Sequence, residues 1–191
     1  MKTRESGMPD EEYWSSFFQP EWVLTQLGLT GECNNVVEFG CGYGTFTIPA
    51  ASKVRVVVYA VDIERGMIEL TAAKAKKQGL QNVNALQRDF VSEGTGLPDH
   101  SMNYAMLFNI LHADQPDVLL QEAWRVLSPG GLLGIMHWNY DPSTPRGPSM
   151  SIRPRPEQCR TWAESVGFTS LTDQPIPLPP YHYGWIMQRV G

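Results

Sequence analysis

The stretch VVEFGCGYGTFT, residues 36–47, places glycines at 40, 42 and 44 directly behind an apolar run that carries one carboxylate, Glu38. A chain gives up side chains at alternate positions so that backbone can approach something closely, or adopt dihedrals that a Cβ forbids. The apolar run reads as a buried strand and the residues after Gly44 as the start of a helix, so the glycines form a strand-to-helix turn.

Outward from that turn, strand and helix signals alternate. NVVEF (35–39), VRVVVYAVD (54–62), VNALQRDF (83–90), NYAMLFNI (103–110) and LLGIMHW (132–138) are short, nearly continuous apolar runs, as strands covered on both faces should be. Between them, Ile63, Met67 and Leu70 fall at i, i+4 and i+7 before Gly79, and Leu120, Ala123, Trp124 and Leu127 repeat helical spacing before the turn Ser128-Pro129-Gly130-Gly131. Cys159, Trp162, Ala163 and Val166 do so again before Gly167. The pattern predicts an α/β fold, a doubly wound parallel sheet whose ligand site lies at the carboxyl ends of the strands. The tail departs from it: FTSLTD (168–173) and YHYGWIMQRV (181–190) have no helix between them, which predicts an antiparallel hairpin at one edge.

Composition bounds the function. With 191 residues, a net charge of −5 and 42% hydrophobic residues, the chain predicts one globular unit without a broad nucleic-acid-binding face. No apolar run approaches a membrane span, and MKTRESGMPDEEY has no apolar signal region. The expectation is a cytoplasmic monomer or homodimer with no membrane or nucleic-acid partner. Cys33, Cys41 and Cys159 form no CxxC pair and no His-interleaved spacing, which argues against a disulfide framework or a zinc site.

The dinucleotide fingerprint G-x-G-x-x-G would put its third glycine where this chain has Thr45. G-x-G-x-G behind an acid-bearing strand resembles instead motif I of the class I S-adenosylmethionine-dependent methyltransferases. Further matches follow in order: AVDIE with Asp62, QRDF with Asp89 and Phe90, NYAMLFNILH, and EAWRVLSPGGLLGIMHW. The resemblance covers about residues 30–190 and is closest to the small-molecule enzymes grouped with ubiquinone/menaquinone-biosynthesis methyltransferases. It implies a Rossmann-like sheet of seven strands in order 3-2-1-4-5-7-6 with strand 7 antiparallel, S-adenosyl-L-methionine as cofactor, S-adenosyl-L-homocysteine as product, and a small-molecule acceptor. On that resemblance Gly40, Gly42 and Gly44 admit the cofactor, Glu38 holds its methionine ammonium, Asp62 accepts from the ribose hydroxyls, and Asp89 and Phe90 meet the adenine. Ile63, Met67 and Asn109 complete the expected cofactor set. An NAD-type oxidoreductase and a non-catalytic S-adenosylmethionine-binding module remain the alternatives.

Methyl transfer is an in-line displacement, in which the protein aligns the nucleophile and takes its proton where it has one. His112 and His137 follow predicted strands and are the candidate bases, though either could instead hold a loop carbonyl; His182 is read as structural. Asn103 begins the fourth strand where relatives often carry Asp, and no D/N-P-P-Y/F tetrad follows. That speaks against amino-group methylation of bases and against a catechol-binding divalent metal, so no metal is expected. The loop NYDPSTPRGPSMSIRPRP (139–156) carries Arg146, Arg153 and Arg155, which could receive an anionic substrate or simply face solvent. Residues 1–28 are expected to form a helical cap or lid over a methyltransferase domain of residues 29–191. Tyr13, Trp14 and Phe17 would line it, with packing against the core as the alternative.

Overall fold

Val36, Val37 and Phe39 have no solvent exposure because β1 (Asn35–Phe39) runs in the middle of the sheet, parallel to β2 (Val57–Asp62) on one side and β4 (Met102–Phe108) on the other. The computed structural model describes residues 7–191. β3 (Val83–Gln87) pairs with β2 and β5 (Leu127–Trp138) with β4, both parallel. The helices α3 (Thr47–Lys53), α4 (Arg65–Lys77) and α5 (Pro116–Val126) make the crossovers, and α6 (Pro156–Val166) follows β5.

Successive residues in these strands face opposite sides, and the two sides are two cores. Val37, Phe39, Leu107 and Ile135 pack with Leu119, Ala123, Cys159 and Ala163 of α5 and α6. Val36, Val58, Met106 and Met136 pack with Ala50 and Ala51 of α3 and with the N-terminal residues Val23, Leu24 and Leu27. Each such apolar side chain taken fully from water contributes roughly 1.5–3 kcal/mol.

The sheet order is β3-β2-β1-β4-β5-β8-β6, with β8 (His182–Arg189) antiparallel to β5 and to β6 (Phe168–Ser170). This is the expected order and orientation, with β8 as the inserted antiparallel strand. A three-residue strand that the sequence did not announce, β7 (Ile176–Leu178), pairs with Gly184, Tyr183 and His182, so β6 and β7 share one edge of β8.

Two local expectations change. The buried face of α4 is Thr71 and Ala75, with Met67 half-buried, rather than an Ile63–Met67–Leu70 stripe. The reason is steric: a Cβ at Gly44 would lie 3.0 Å from Thr71 Oγ1, so the helix needs small residues where it closes on the glycine turn. The Ser128–Gly131 turn is a bulge inside β5, since Met102 pairs with Leu127 but Tyr104 with Leu132.

At the N-terminal end, Asp10 caps α1 (Glu11–Ser15), its Oδ1 accepting from Tyr13 N at 3.0 Å. α2 (Pro20–Gln26) starts on its proline. Phe17, Phe18, Val23, Leu24 and Leu27 are all buried, and Tyr104 in β4 donates its hydroxyl to Leu27 O at 2.7 Å. The first six residues of the expected cap lie outside the described residues. No helix among the described residues is long and apolar enough to cross a membrane.

Candidate active site

A cavity of about 480 Å³ opens over the carboxyl ends of the parallel strands, where an α/β sheet forms its ligand site. Its wall follows the sheet order. Asp89 and Phe90 come from beyond β3, and Asp62 and Ile63 from the end of β2. Gly40 and Gly42 come from the turn after β1, Asn109, Ile110 and His112 from beyond β4, and Trp138 from β5. Arg146, Pro148 and Ile152 of the following loop, with Met8 and Trp14, complete it.

The glycine turn is held by its neighbours. Gly40 N and Cys41 N donate to Val61 O at 2.8 and 3.1 Å. Gly42 N donates to Asp62 Oδ2 at 2.9 Å, and Glu64 N to the other carboxylate oxygen at 2.9 Å. Gly40 and Gly42 have φ of +76° and +49°, dihedrals that favour glycine, and the Met8 side chain closes on Gly42, its Sδ 2.9 Å from where a Cβ would sit. Burial raises the Asp62 carboxyl above its ordinary range, against the pull of the two N–H donors.

Glu38 faces a smaller recess beside the cavity, lined also by Gly40, Gly42, Thr45, Phe46 and Asn109. Its carboxyl accepts from Thr47 Oγ1. Burial pushes it up to about 8, opposed by the Thr47 hydrogen bond and reinforced by the nearby Asp62 carboxyl.

Asn109 has φ +57°, and its backbone N donates to Met136 O at 2.7 Å. Both polar atoms of its side-chain amide are buried without a hydrogen-bond partner. An orphaned buried amide is costly, and here its residue lines both the cavity and the smaller recess.

His112 reaches the wall, and its Nδ1 lies 3.3 Å from Nε2 of His137. His137 has no exposure and stands behind His112 rather than in the wall. Burial lowers the affinity of both imidazoles for a proton; in His137 the adjacent His112 adds to it, and in His112 the Arg153 charge does.

The arginines separate. Arg146 lies in the wall and donates from Nη2 to Gly7 O at 2.7 Å. Arg153 is buried and makes six hydrogen bonds within the loop. They go to the carbonyls of Asn139, Asp141, Arg146 and (twice) Pro148, and to Thr144 Oγ1. It is therefore a loop organiser and not an anion receptor. Arg155 stacks on the Tyr140 ring, 3.8 Å from its centroid.

Of the remaining expected site residues, Gly44, Met67, Tyr13 and Phe17 do not reach the wall. Gly44 faces Thr71, Tyr13 is exposed, and Phe17 packs edge-on against Trp138 at 5.2 Å. Sequence reasoning missed Met8, Ile110, Leu119, Trp138 and Ile152. Trp138, at the end of a strand that reads as parallel, carried a usable signal; Met8, ahead of the first element, carried none.

The N-terminal strap that carries Met8 is tied down at several points. Besides the Arg146 contact, Tyr43 donates its hydroxyl to Pro9 O at 2.7 Å, while Lys74 pairs with Glu11 and donates to Tyr43 O at 2.6 Å.

Residues 36–131 match the family model described as a methyltransferase domain. Among curated proteins, the aklanonic acid methyltransferase DauC of Streptomyces sp. (strain C5) is 38% identical over 80 residues, 41% of this chain and 34% of that protein. The demethylmenaquinone methyltransferase of Geobacillus stearothermophilus is 32% identical over 100 residues, 48% of this chain and 40% of that protein. The matched segments thus span well under half the length of these two relatives. Among solved structures, a SAM-dependent methyltransferase from Aquifex aeolicus superposes with a TM-score of 0.81 at 24% identity, covering 95% of this chain and 94% of that one. The chain belongs to the methyltransferase-domain family, with the Rossmann-like fold of the class I S-adenosylmethionine-dependent methyltransferases.

Proposed function

We propose that this protein transfers a methyl group from S-adenosyl-L-methionine to a small-molecule acceptor. The observation that carries the reading is the unpartnered Asn109 amide beside Gly40 and Gly42. A ligand with both donor and acceptor groups would satisfy it, as the amino-acid end of this cofactor does. Glu38 in the same recess would take the ammonium. Asp62 would accept from the ribose hydroxyls with lone pairs left by Gly42 N and Glu64 N. Ile63, Asp89 and Phe90 would enclose the adenine.

When bound, S-adenosylmethionine would supply an electrophilic methyl carbon with a neutral thioether as leaving group. The protein aligns the acceptor between Trp138, Ile110 and the 146–152 loop and excludes water with Trp14 and the strap. His112, with Nδ1 engaged by His137, keeps Nε2 for the acceptor and takes its proton where the nucleophile carries one. His137 is then a positioning residue. The N-terminal residues divide: the strap and Trp14 cover the site, whereas α2 belongs to the core. Relatives named for aklanonic acid and demethylmenaquinone support a small-molecule acceptor.

Calorimetric titration with S-adenosylhomocysteine and with NAD tests the cofactor, and methyl-labelled S-adenosylmethionine with a metabolite extract tests transfer. Binding of NAD but not of S-adenosylhomocysteine would overturn the reading. Binding of the latter without any labelled product would leave a non-catalytic module.

A further inference from the structure

The cavity wall carries carboxylates and a guanidinium on different elements. Asp62 ends β2 and Asp89 follows β3, while His112 follows β4 and Arg146 is carried by the loop after β5. Trp138, Ile110, Pro148 and Ile152 give the same wall apolar surface.

Among the described residues Arg146 is the only Lys or Arg in that wall. Among the described residues it pairs with no carboxylate, and its one hydrogen bond goes to Gly7 O. Four of its five N–H donors therefore remain for a ligand. It is also held in place: the buried Arg153 binds the carbonyls of Arg146 and Pro148, and Gly147 packs so closely on Trp138 that a Cβ would come within 2.9 Å of its ring. A cation presented by an organised loop in a wall with apolar surface suits one kind of guest.

Resting on the proposed methyltransferase reading, we infer that the acceptor is an apolar molecule bearing an anionic oxygen group, which seats on Arg146. The apolar body lies against Trp138, Ile110 and Ile152, with the anion on the guanidinium. A neutral acceptor would leave Arg146 unpaired, and a cationic one would be repelled by it. Arg146 is thus assigned as a specificity-determining residue.

Two fluorescent probes with the same apolar body separate the possibilities: 1-anilinonaphthalene-8-sulfonate, an anion, and the neutral N-phenyl-1-naphthylamine. Both are titrated into full-length protein saturated with S-adenosylhomocysteine, with decanoate and decanamide as competitors. The expected result is at least roughly tenfold tighter binding of the anionic probe, displaced by decanoate and not by decanamide. R146Q should abolish the preference, and R155Q on the same loop should retain it. Equal binding of the two probes, no binding of the anionic one, or a preference unchanged in R146Q would overturn the inference. The wild-type comparison stands even where R146Q fails to fold. Loss of S-adenosylhomocysteine binding in the wild type would instead sink the methyltransferase reading.

Discussion

Arg153 donates from Nη2 to the carbonyl oxygen of Arg146 at 3.2 Å, so a buried arginine sets the backbone from which a second arginine reaches the cavity. The two lie seven residues apart in one proline-rich loop and look alike in the sequence. Burial distinguishes them: Arg153 spends its donors on loop carbonyls, and Arg146 keeps most of its own.

The loop should therefore collapse when Arg153 is changed, even to lysine. An ammonium cannot reproduce the planar fork that reaches five partners. R153K is expected to lose about 3 kcal/mol of stability in urea unfolding, from carbonyls left unpartnered, and to become sensitive to limited proteolysis between residues 141 and 152. An unchanged unfolding midpoint would show that the loop is ordered by other means.

D62A should weaken S-adenosylhomocysteine by roughly 1.5–3 kcal/mol, the worth of a hydrogen bond to a charged group. Part of that loss is indirect, because Asp62 also holds Gly42 N. D62N keeps one acceptor oxygen and should lose less. Calorimetry giving wild-type affinity for a folded D62A would remove Asp62 from the site.

Glu38 couples cofactor binding to pH. Its carboxyl, pushed up to about 8 by burial, holds a proton in the free protein at neutral pH, and an incoming ammonium favours the ionised form. Binding should then release close to one proton at pH 7, measurable in buffers of different ionisation enthalpy. Affinity should rise with pH up to about 8 and level off above it. In E38Q both effects should vanish. Proton uptake on binding would contradict the assignment.

His112 and His137 should differ in kind. H112Q is expected to lower kcat by roughly a hundredfold or more once an acceptor is in hand, with S-adenosylhomocysteine affinity unchanged. H137Q should lower kcat less and shift the acidic limb of the pH–rate profile, since it acts through the His112 ring. Equal losses with identical pH profiles would mean that His137 does more than hold its neighbour.

Truncation separates strap from core. Removing residues 1–9 takes away the Pro9 and Gly7 carbonyls that Tyr43 and Arg146 bind, and should leave a folded protein with faster S-adenosylhomocysteine dissociation. Removing residues 1–28 also deletes Leu24 and Leu27, which have no solvent exposure, at roughly 2–5 kcal/mol for each such side chain lost from a core. That variant should aggregate. A folded, soluble remnant lacking residues 1–28 would show that α2 is dispensable.

Local chemistry makes much of this protein legible in its sequence. Three glycines behind Glu38 and an acid at Asp62 mark a strand-to-helix turn and the end of the next strand, because backbone dihedrals and strand periodicity are properties of short segments. The parallel sheet, an antiparallel pairing in the tail and the place of the cavity follow from the same patterns, whereas the strand order with an inserted antiparallel strand came from the family resemblance. Tertiary structure alone decided what depends on residues far apart in the chain. It brought Met8 against Gly42, put Thr71 rather than Leu70 on the buried face of α4, set His112 against His137, and turned Arg153 inward while leaving Arg146 in the wall. Each of these is settled by which groups lose their water and which partners then meet them, and a one-dimensional pattern does not record those distances.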